Sequence, residues 1–280
     1  MTQATSTAYS RDLGDELRLL RERFSTLNGR KFAIQLGWDP SKVSNIENGK
    51  ARASEIDLAQ YLTACGQDIE FFDDFKRRYY NAFDLVCAQT LSSLRTLAMT
   101  ESTATKITSY EPASHPGLLQ TKQFAREVLA EGGVHTPEDV ERLAEARIER
   151  QTVLRRPFRP DCLFYIHELA LRQRVANAQA MEDQYLRLMC HTHIIRIVPL
   201  DVGTASLETN FTLYEFDKAA PIVFSETNLV QVFAQDDAVV KQCRDMFERL
   251  ETLALDEERS KSKLVEYINA LREAPDGSRA

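Results

Sequence analysis

Cysteines and long apolar runs are scarce in this chain of 280 residues. The five cysteines lie far apart and form no Cys-x-x-Cys pair, which argues against a disulfide framework and predicts buried free thiols. No apolar run approaches the roughly 18 residues of a membrane span, and residues 1–10 lack the apolar core of a signal peptide. We therefore expect a cytoplasmic protein that makes no membrane contact.

Motifs for catalysis or metal binding are also few. The five histidines are scattered, and neither a Gly-rich phosphate loop nor a nucleophile elbow occurs. The Cys-His-Thr-His stretch at 190–193 lacks the further ligands that a metal needs. His167 and Glu168 with Arg172 could form an acid–base set, but an orienting ion pair at a strand-to-helix junction is the favoured interpretation. We expect no enzyme activity, no cofactor and no metal.

The charge is divided unevenly along the chain. Hydrophobic residues make up 43% and charged residues 28%, as in ordinary globular proteins, and the length allows two domains. The net charge is −7, yet residues 1–66 carry nine Lys and Arg against eight Asp and Glu, and the remainder carries 26 against 34. Any affinity for DNA must therefore come from a local basic face of the N-terminal part. A homodimer would present two such basic faces to DNA, which would compensate for the weak binding of a single face.

The segment 38–50 has the features of a recognition helix. Asp39 is a typical N-cap, and Pro40 suits the first helical position, where its missing N–H is not needed. Val43 and Ile46 lie three residues apart on the predicted inner face, and Gly49 can end the helix in a left-handed conformation. A short helix with an apolar back and a small polar front fits the major groove of DNA. The outward positions are Ser41, Lys42, Ser44 and Asn45.

Three further helices are predicted around this segment. The first runs from Ser10 or Asp12 to about Leu27, the second covers 30–36, and the fourth covers 54–65. A tight glycine turn separates the second helix from the third, as in a helix-turn-helix. The stretch Leu-Gly-Trp-Asp-Pro-Ser-Lys-Val-Ser-Asn-Ile-Glu-Asn-Gly at 36–49 resembles the XRE-type family of phage-repressor-like DNA-binding domains, and the resemblance covers residues 13–66.

The resemblance implies which residues contact double-stranded DNA. Positions matching Ser41, Lys42 and Asn45 face base edges in that family, and flanking positions hold phosphates. Glu47 resembles the family's structural acid, which pairs within the domain. The family usually begins its second helix with Thr-Gln, but this chain has Asn28-Gly29, so neighbouring cations are expected to replace the glutamine. The candidate DNA contacts are Arg30, Lys31, Pro40, Ser41, Lys42, Ser44, Asn45, Asn48, Lys50 and Arg52. The alternative is that 41–45 is only a solvated helix face.

Residues 67–108 are predicted to form a helical linker between the domains. The segment after Gly66 is rich in aromatic residues at helical spacing, which indicates either core packing or a dimer contact. The basic cluster at 76–78 is interpreted as a solvated face rather than a phosphate contact. The Thr- and Ser-rich stretch 100–108 is predicted to be a hinge.

The C-terminal part, 109–280, is predicted to be α+β. Pro116-Gly117 is predicted to be a turn, and helices are expected after it through 130, at about 136–154, at about 168–191, and at about 236–255 and 257–272. Four short segments rich in β-branched and aromatic residues are expected to be strands: 162–166, 194–198, 211–216 and 222–224. The whole chain is thus predicted to be mainly α, with a four- to five-helix N-terminal domain over 1–66 and an α+β sensor domain at the end.

Several motifs of the C-terminal part occur in an order that resembles actinobacterial XRE-type regulators of the WhiJ-like kind. They include Pro-Gly-Leu-Leu-Gln-Thr at 116–121, Arg-x-x-Arg-Gln at 147–151 and His-Glu-x-Ala-Leu-Arg at 167–172. The resemblance implies a transcriptional regulator, often encoded beside a small acidic partner protein and sometimes described as antitoxin-like. His167 departs from the acidic residue expected before the glutamate.

The turn at 117–121 is a candidate site for a small ligand, a peptide or a protein partner. Backbone N–H groups near arginines can hold a carboxylate or a peptide end. The equally favoured alternative is that the leucines are core and the arginines brace the fold. The candidate residues are Gly117, Leu118, Leu119, Gln120, Thr121, Arg147, Arg150, Gln151 and Glu168. The sequence thus predicts a homodimeric regulator of a near-palindromic operator, or alternatively an antitoxin-like protein that neutralises a small partner.

Overall fold

A computed structural model describes residues 5–90, 94–202 and 207–273 of the chain. The described residues fall into two compact units. The first comprises residues up to Gln89 with the segments Arg95–Met99 and Val232–Asp236, and the second includes Thr100–Gln231 and the residues after Asp236. The first unit therefore continues beyond residue 66, where the sequence predicted a boundary. None of the described helices is long and apolar enough to cross a membrane.

The first unit is built mainly from short capped helices. A side-chain oxygen accepts a backbone N–H at the start of each, which satisfies a donor that the helix itself leaves unpaired. Thr7 caps the first helix in a reciprocal pair with Ser10, so the cap predicted at Ser10 or Asp12 is wrong and the helix begins earlier in the sequence. The elements are α1 (Ala8–Phe24), α2 (Gly29–Gln35), α3 (Pro40–Glu47), α4 (Glu55–Ala64), α5 (Ile69–Tyr80) and β1 (Val86–Thr90).

The core of the first unit draws on all five of these helices. Leu17 of α1, Phe32 of α2 and Ile46 of α3 are almost fully buried. The ring of Phe32 meets the edge of Tyr61 of α4 at 4.9 Å between centroids. Phe75 of α5 belongs to the same cluster. The aromatic face of the predicted linker is therefore core, and α5 is part of the first unit.

The prediction of a continuous helical linker over 67–108 is wrong after α5. Residues 86–90 form strand β1, α6 covers Arg95–Thr103, and β2 covers Lys106–Glu111. The predicted hinge at 100–108 is thus mostly regular structure. The Ile-Thr-Ser-Tyr run of β2 is β-branched and aromatic, which favours a strand. The signal was missed because the segment contains no glycine or proline to mark where a helix stops.

The second unit contains a mixed sheet. Its strands β2, β3 (Asp161–His167) and β4 (Ile195–Val198) run parallel, whereas β5 (Phe211–Glu215) and β6 (Ile222–Glu226) continue the sheet in antiparallel fashion. The spatial order is β6-β5-β2-β3-β4. The four strands predicted from the sequence correspond to β3, β4, β5 and β6. Both β2 and a later strand, β7 (Val230–Ala234), were missed.

The helices of the second unit agree with the predicted α+β architecture, with one correction. The predicted helix 168–191 is two helices, because residues 173–177 leave the helical conformation and Asn177 caps a new helix. Short 3₁₀ turns cover Gly117–Leu119 and Gln151–Arg155. The helices are α7 (Lys122–Glu131), α8 (Pro137–Arg150), α9 (Glu168–Arg172), α10 (Ala178–Met189), α11 (Asp237–Leu253) and α12 (Glu257–Glu273).

Candidate functional site

Helix α3 forms as the local sequence predicts. The Asp39 carboxylate accepts the N–H of Ser41 at 2.7 Å, and Pro40 occupies the first helical position. Val43 and Ile46 are buried, each with about 1% of its surface exposed. The side opposite these two residues is therefore the side available to a ligand.

Two glycines allow α1 to pack directly on the end of α3. Gly49 ends the turn with a φ of +63°, and a Cβ there would lie 2.4 Å from the backbone of Ser10. A Cβ on Gly14 would lie 2.7 Å from the carbonyl oxygens of Ile46 and Glu47. No side chain fits at either position, so the glycines fix how closely the two helices approach.

A buried ion pair connects α1 to the end of α3. Glu47 accepts two hydrogen bonds from Arg21, at 2.7 and 2.9 Å, and a third from the hydroxyl of Tyr61 at 2.6 Å. Burial and this carboxylate raise the pKa of Tyr61 well above its usual range, so the hydroxyl stays protonated and donates. The predicted role of Glu47 as an acid paired within the domain is confirmed.

The outward face of α3 presents small polar groups. Ser41 and Ser44 are exposed and Asn45 is half-buried, so all three can reach a surface placed against the helix. Each of these side chains can donate and accept hydrogen bonds. The base-reading role of this face stays a prediction.

The Lys42 side chain faces outward, as predicted, but it is already paired within the first unit. Its ammonium lies 2.5 Å from the carboxylate of Asp57 and 4.1 Å from the ring centre of Trp38. Burial alone would raise the pKa of Asp57, but hydrogen bonds from Lys42 and Ser54 lower it. The Trp38 indole also donates to Gln60 at 3.1 Å. Asp57, Trp38 and Gln60 were not identified from the sequence, because their proximity to Lys42 depends on how α4 packs.

The candidate DNA-binding residues that flank α3 differ in whether their side chains already have partners in the protein. Arg30, Lys31 and Lys50 are exposed, and within the described part of the chain their side chains have no hydrogen-bond or ion-pair partner. The Asn48 amide donates to the carbonyl of Ser44 at 2.7 Å. The three unpaired cations are therefore the ones most available to phosphates.

Arg52 and the basic cluster of α5 are engaged within the first unit. Arg52 donates to the carbonyl of Tyr80 and its guanidinium lies over the Tyr80 ring, 5.6 Å from the centroid. The cluster cations are each ion-paired to a carboxylate, in the pairs Lys76–Glu55, Arg77–Asp74 and Arg78–Glu16. This pairing lowers the charge that the cluster can offer to a phosphate.

In the second unit, the predicted turn at 117–121 is held by side chains rather than left open. Gln151 donates to the carbonyls of Gly117 and Gln120, at 3.2 and 2.7 Å, and the N–H of Thr121 donates to Gln184 at 2.7 Å. Leu118 and Leu119 are buried, as the alternative interpretation required. The turn's polar backbone groups are thus largely satisfied internally.

The two predicted arginines do lie beside this turn, but they differ from each other. Arg147 donates to the Gln120 side chain at 2.9 Å and packs alongside Gly117. Arg150 forms a double hydrogen bond with Glu101, at 2.6 and 2.7 Å, and both side chains are nearly buried. Arg150 therefore braces α8 against α6, as the alternative interpretation of the arginines expected.

Glu168 does not join the turn. It follows β3 and accepts the N–H of Leu200 at 3.2 Å and the hydroxyl of Tyr267 at 2.9 Å. Arg172 also reaches the Tyr267 hydroxyl, at 3.3 Å, so the motif at 167–172 connects α9 to α12. None of its contacts within the described residues is to the turn at 117–121, and grouping Glu168 with that turn was wrong. His167 caps α9 by accepting the N–H of Leu169.

A pair of carboxylates near Arg147 was missed in the sequence. Glu111 ends β2 and Glu226 ends β6, and both interact electrostatically with Arg147. Burial, reinforced by Glu226, raises the pKa of Glu111 to about 8. These residues are far apart in sequence, and only the pairing of the strands brings them together. The unrecognised strand β2 is the reason they were missed.

The fold and the exposed polar face of α3 define a helix-turn-helix DNA-binding protein. Residues 12–72 match the sequence model of a helix-turn-helix domain. Residues 94–266, more than half of the chain, match a domain of unknown function, DUF5753, and the chain belongs to that family. No curated protein and no solved structure matches the chain. The protein is thus a DNA-binding regulator with a C-terminal domain whose role the family description leaves open.

Proposed function

We propose that the protein is a cytoplasmic, sequence-specific transcriptional regulator that acts as a homodimer on a near-palindromic operator. The observation that carries this proposal is α3, which is buried on one side and lined by small polar side chains on the other. Two such helices related by a two-fold axis would enter successive major grooves about 34 Å apart. The resemblance of the C-terminal half to WhiJ-like regulators supports the same role.

Base reading is assigned to Ser41, Ser44 and Asn45, and Lys42 joins them when it leaves Asp57. The ion pair is only partly exposed, at 23% for the Lys42 side chain and 17% for that of Asp57, so a phosphate or a guanine edge has to replace the Asp57 carboxylate as the partner of the ammonium. Arg30 and Lys31 at the start of α2 are assigned to phosphates. These contacts set affinity and register, whereas the α3 contacts set the sequence preference.

We infer dimerisation from the distribution of charge along the chain. The first 66 residues carry an excess of only one positive charge, and the remainder carries an excess of eight negative charges. Such a chain gains little affinity from long-range attraction, because its larger part repels phosphate. Two recognition helices on one rigid dimer double the local contacts without a change in net charge per chain.

The decisive experiment begins with in vitro selection of binding sites from random duplex DNA by the full chain. Fluorescence anisotropy then compares the parent with the double variant Lys42→Ala, Asn45→Ala on the selected duplex. Each lost base contact should weaken binding by about 1–3 kcal/mol. Arg77→Ala is the matched control, because it also removes one exposed positive charge, from a side chain that is 78% exposed on α5. Unchanged binding by the double variant would refute the assignment of α3.

Arg30→Ala tests the phosphate role separately. We expect it to weaken binding to selected and unrelated duplexes alike, and to reduce the slope of log affinity against log salt by about 1. A loss confined to the selected duplex would contradict that role. Light scattering of the same samples gives the mass of the free protein and of the complex, and a complex with one chain per operator would exclude the dimer.

The C-terminal domain is assigned to sensing, either of a small ligand or of a protein partner. One observation favours a partner: Phe158 is 96% exposed, and Arg155, Arg156 and Arg159 around it are exposed as well. A small acidic protein that offers an apolar pocket would fit this loop, and neutralising that protein would be an antitoxin-like function. Co-purification of a neighbouring gene product with the parent but not with Phe158→Ser would favour this alternative.

A further inference from the structure

A cavity of about 510 Å³ lies in the second unit where two parallel strands end. β3 ends at His167 and β4 ends at Val198, and the residues that directly follow each strand line the cavity. In sheets with parallel strands, ligands bind outside the carboxyl ends of the strands, and this volume suits a small molecule. The other wall is formed by Leu255 and by one face of α12.

Hydrogen bonds within the protein hold the walls of this cavity in place. The N–H of Leu255 donates to the carbonyl of Ile197 at 2.8 Å, and the N–H of Ile197 donates to the Ser260 hydroxyl at 3.0 Å. These bonds fix the start of α12 against β4. Glu168 accepts the N–H of Leu200 at 3.2 Å, which joins the start of α9 to the segment after β4. The walls are therefore fixed relative to one another without a ligand.

Arg172 is a cation of this cavity that is positioned but not neutralised. Its Nε donates to the Tyr267 hydroxyl at 3.3 Å, and that hydroxyl donates to the buried carboxylate of Glu168 at 2.9 Å. The two terminal nitrogens of the exposed Arg172 side chain have no hydrogen-bond or ion-pair partner among the described residues. A guanidinium held by its Nε offers its remaining donors in the planar arrangement that matches a carboxylate or a phosphate.

Helix α12 contributes a second arginine with free donors. Arg259 and Lys263 lie one turn apart on the face of α12 that lines the cavity. The backbone N–H of Arg259 donates to the Asp256 carboxylate at 2.8 Å, but its guanidinium has no partner within the described part of the chain. Lys263, in contrast, is paired with Glu266 at 2.9 Å. The cavity thus contains two guanidinium groups that can still donate.

The carboxylates of the cavity are less available than its arginines. Glu168 accepts the two hydrogen bonds described above, and the Lys263 ammonium lies 3.8 Å from it. Glu266 pairs with the same ammonium, and Asp201 is the remaining acid, exposed to solvent. The unpaired charges of the cavity are therefore two arginines and one carboxylate. This excess of positive charge favours an anionic ligand over a cationic one.

We propose that this cavity binds a small organic anion whose carboxylate or phosphate group accepts hydrogen bonds from Arg172 and Arg259. The apolar part of the ligand lies against Pro199, Leu200 and Leu255, which line the same cavity. The inference rests on the proposed sensing function of the C-terminal domain, and it names the site and the ligand class. Carboxylate and phosphate share the oxygen geometry that a guanidinium recognises, so one site serves either group.

Isothermal titration calorimetry of the full chain tests the proposal with charged and neutral probes. Benzoate and phenyl phosphate each carry an anionic group on an apolar ring, whereas benzamide and phenol are their neutral counterparts. At least one anion should bind saturably, and at least about ten-fold more tightly than its neutral counterpart, because the neutral probe forms no charge-assisted hydrogen bonds with the arginines. The difference between the two anions tells which group the site prefers. The proposal is overturned if neither anion binds, or if the neutral probes bind as tightly.

Arg259→Ala locates the bound anion. The guanidinium contacts no other side chain in the described part of the chain, so its loss should leave thermal unfolding unchanged and weaken anion binding at least about ten-fold. Lys261→Ala is the matched control, because it removes an exposed positive charge from the same helix at a position that does not line the cavity. We expect its affinity to equal the parent's. Equal losses in both variants would show a response to the overall charge of α12 and would refute the site.

Two further variants test the geometry of the site and the sign of its ligand. Arg172→Lys keeps the positive charge but removes the planar fork, so it should weaken anion binding at least about ten-fold. Asp201→Asn removes the unpaired carboxylate and should leave anion binding unchanged or tighten it. Weaker binding in Asp201→Asn would contradict an anion site. Binding retained by both arginine variants would place the anion elsewhere on the molecule.

Two measurements separate this inference from the proposed regulatory function. Far-UV circular dichroism shows whether a variant has kept its fold; if Arg172→Lys unfolds, Arg259→Ala alone decides the site. Anisotropy on the selected operator shows whether DNA binding persists without the anion. Saturable anion binding by a chain that binds no operator would retain this site and refute the regulator. Operator binding without anion binding would retain the regulator and refute this site.

Discussion

Removing Glu47 should strongly destabilise the first unit. Its carboxylate pairs with Arg21, and both side chains are only 7% exposed. The Tyr61 hydroxyl donates to the same carboxylate. Glu47→Ala would leave the guanidinium charged, buried and without its main acceptor, since the only other close carboxylate among the described residues is that of Glu22, at 3.7 Å. The tyrosine hydroxyl would keep only its contact with the carbonyl of Leu17.

The expected loss of stability is about 3–5 kcal/mol, the usual effect of removing one partner of a buried ion pair. This is a large part of the roughly 5–15 kcal/mol by which a domain is stable. With a urea dependence of about 2 kcal/mol per molar, the unfolding midpoint should fall by about 1.5–2.5 M. Operator binding should fail at the same denaturant concentrations, because α3 ends at this residue.

The single tryptophan makes the assay specific for the first unit. Trp38 packs near Tyr61, with ring centroids 6.5 Å apart, so its fluorescence in a urea titration reports unfolding of this unit. Glu22→Ala is the matched control, because Glu22 contacts the same arginine but is 47% exposed; its effect should stay below about 0.5 kcal/mol. Surface variants are expected to change the urea midpoint by no more than about 0.3 M. A midpoint of Glu47→Ala within that distance of the parent's would refute the reasoning.

Three further variants test other parts of the fold. Gly49→Ala should destabilise the first unit by at least about 2 kcal/mol in the same Trp38 assay, because a Cβ is strained there and meets Ser10; a neutral effect would contradict the close helix packing. Burial lowers the pKa of His115 to about 4. The stability that its neutral imidazole contributes is therefore fully present above pH 6.5 and is lost as the pH falls towards 4. His115→Phe should reduce the difference in the free energy of unfolding between pH 7 and pH 4.5 by about 3 kcal/mol, as measured by thermal unfolding at both pH values. If that difference does not change, His115 is not the source of the acid sensitivity. Burial raises the pKa of Glu111 to about 8, so the free energy of unfolding falls as the pH rises from about 4.5 to 8; Glu111→Gln should be more stable than the parent at pH 9 by up to about 5 kcal/mol, and equal melting curves would contradict this.

The first unit was predictable because its signals are local. Asp39, Pro40 and Gly49 act within a few residues of where they stand, so the start and end of α3 could be placed from the sequence alone. The partner of Glu47 could be expected within the domain but not named. The Lys42–Asp57 pair could not be foreseen, because it depends on the approach of α4 to α3.

The second unit was less predictable because its main contacts are distant in sequence. The segment before β2 has no residue that breaks a helix, so its helical pattern was extended through β1 and β2. Without β2, Glu111 could not be placed opposite Asn210 or near Glu226. The helix break after Arg172 was missed for a similar reason: only Asn177, a cap, marks it.

The two units differ in how completely their buried polar groups are paired. Arg21 and Glu47 are buried and satisfy each other, so their removal affects stability. The Nε of Arg147 is buried and has no hydrogen-bond partner among the described residues, and burial raises the pKa of Glu111, so ionising that side chain opposes folding. Groups that oppose folding and are not needed for packing are expected at functional sites, where binding restores what folding loses.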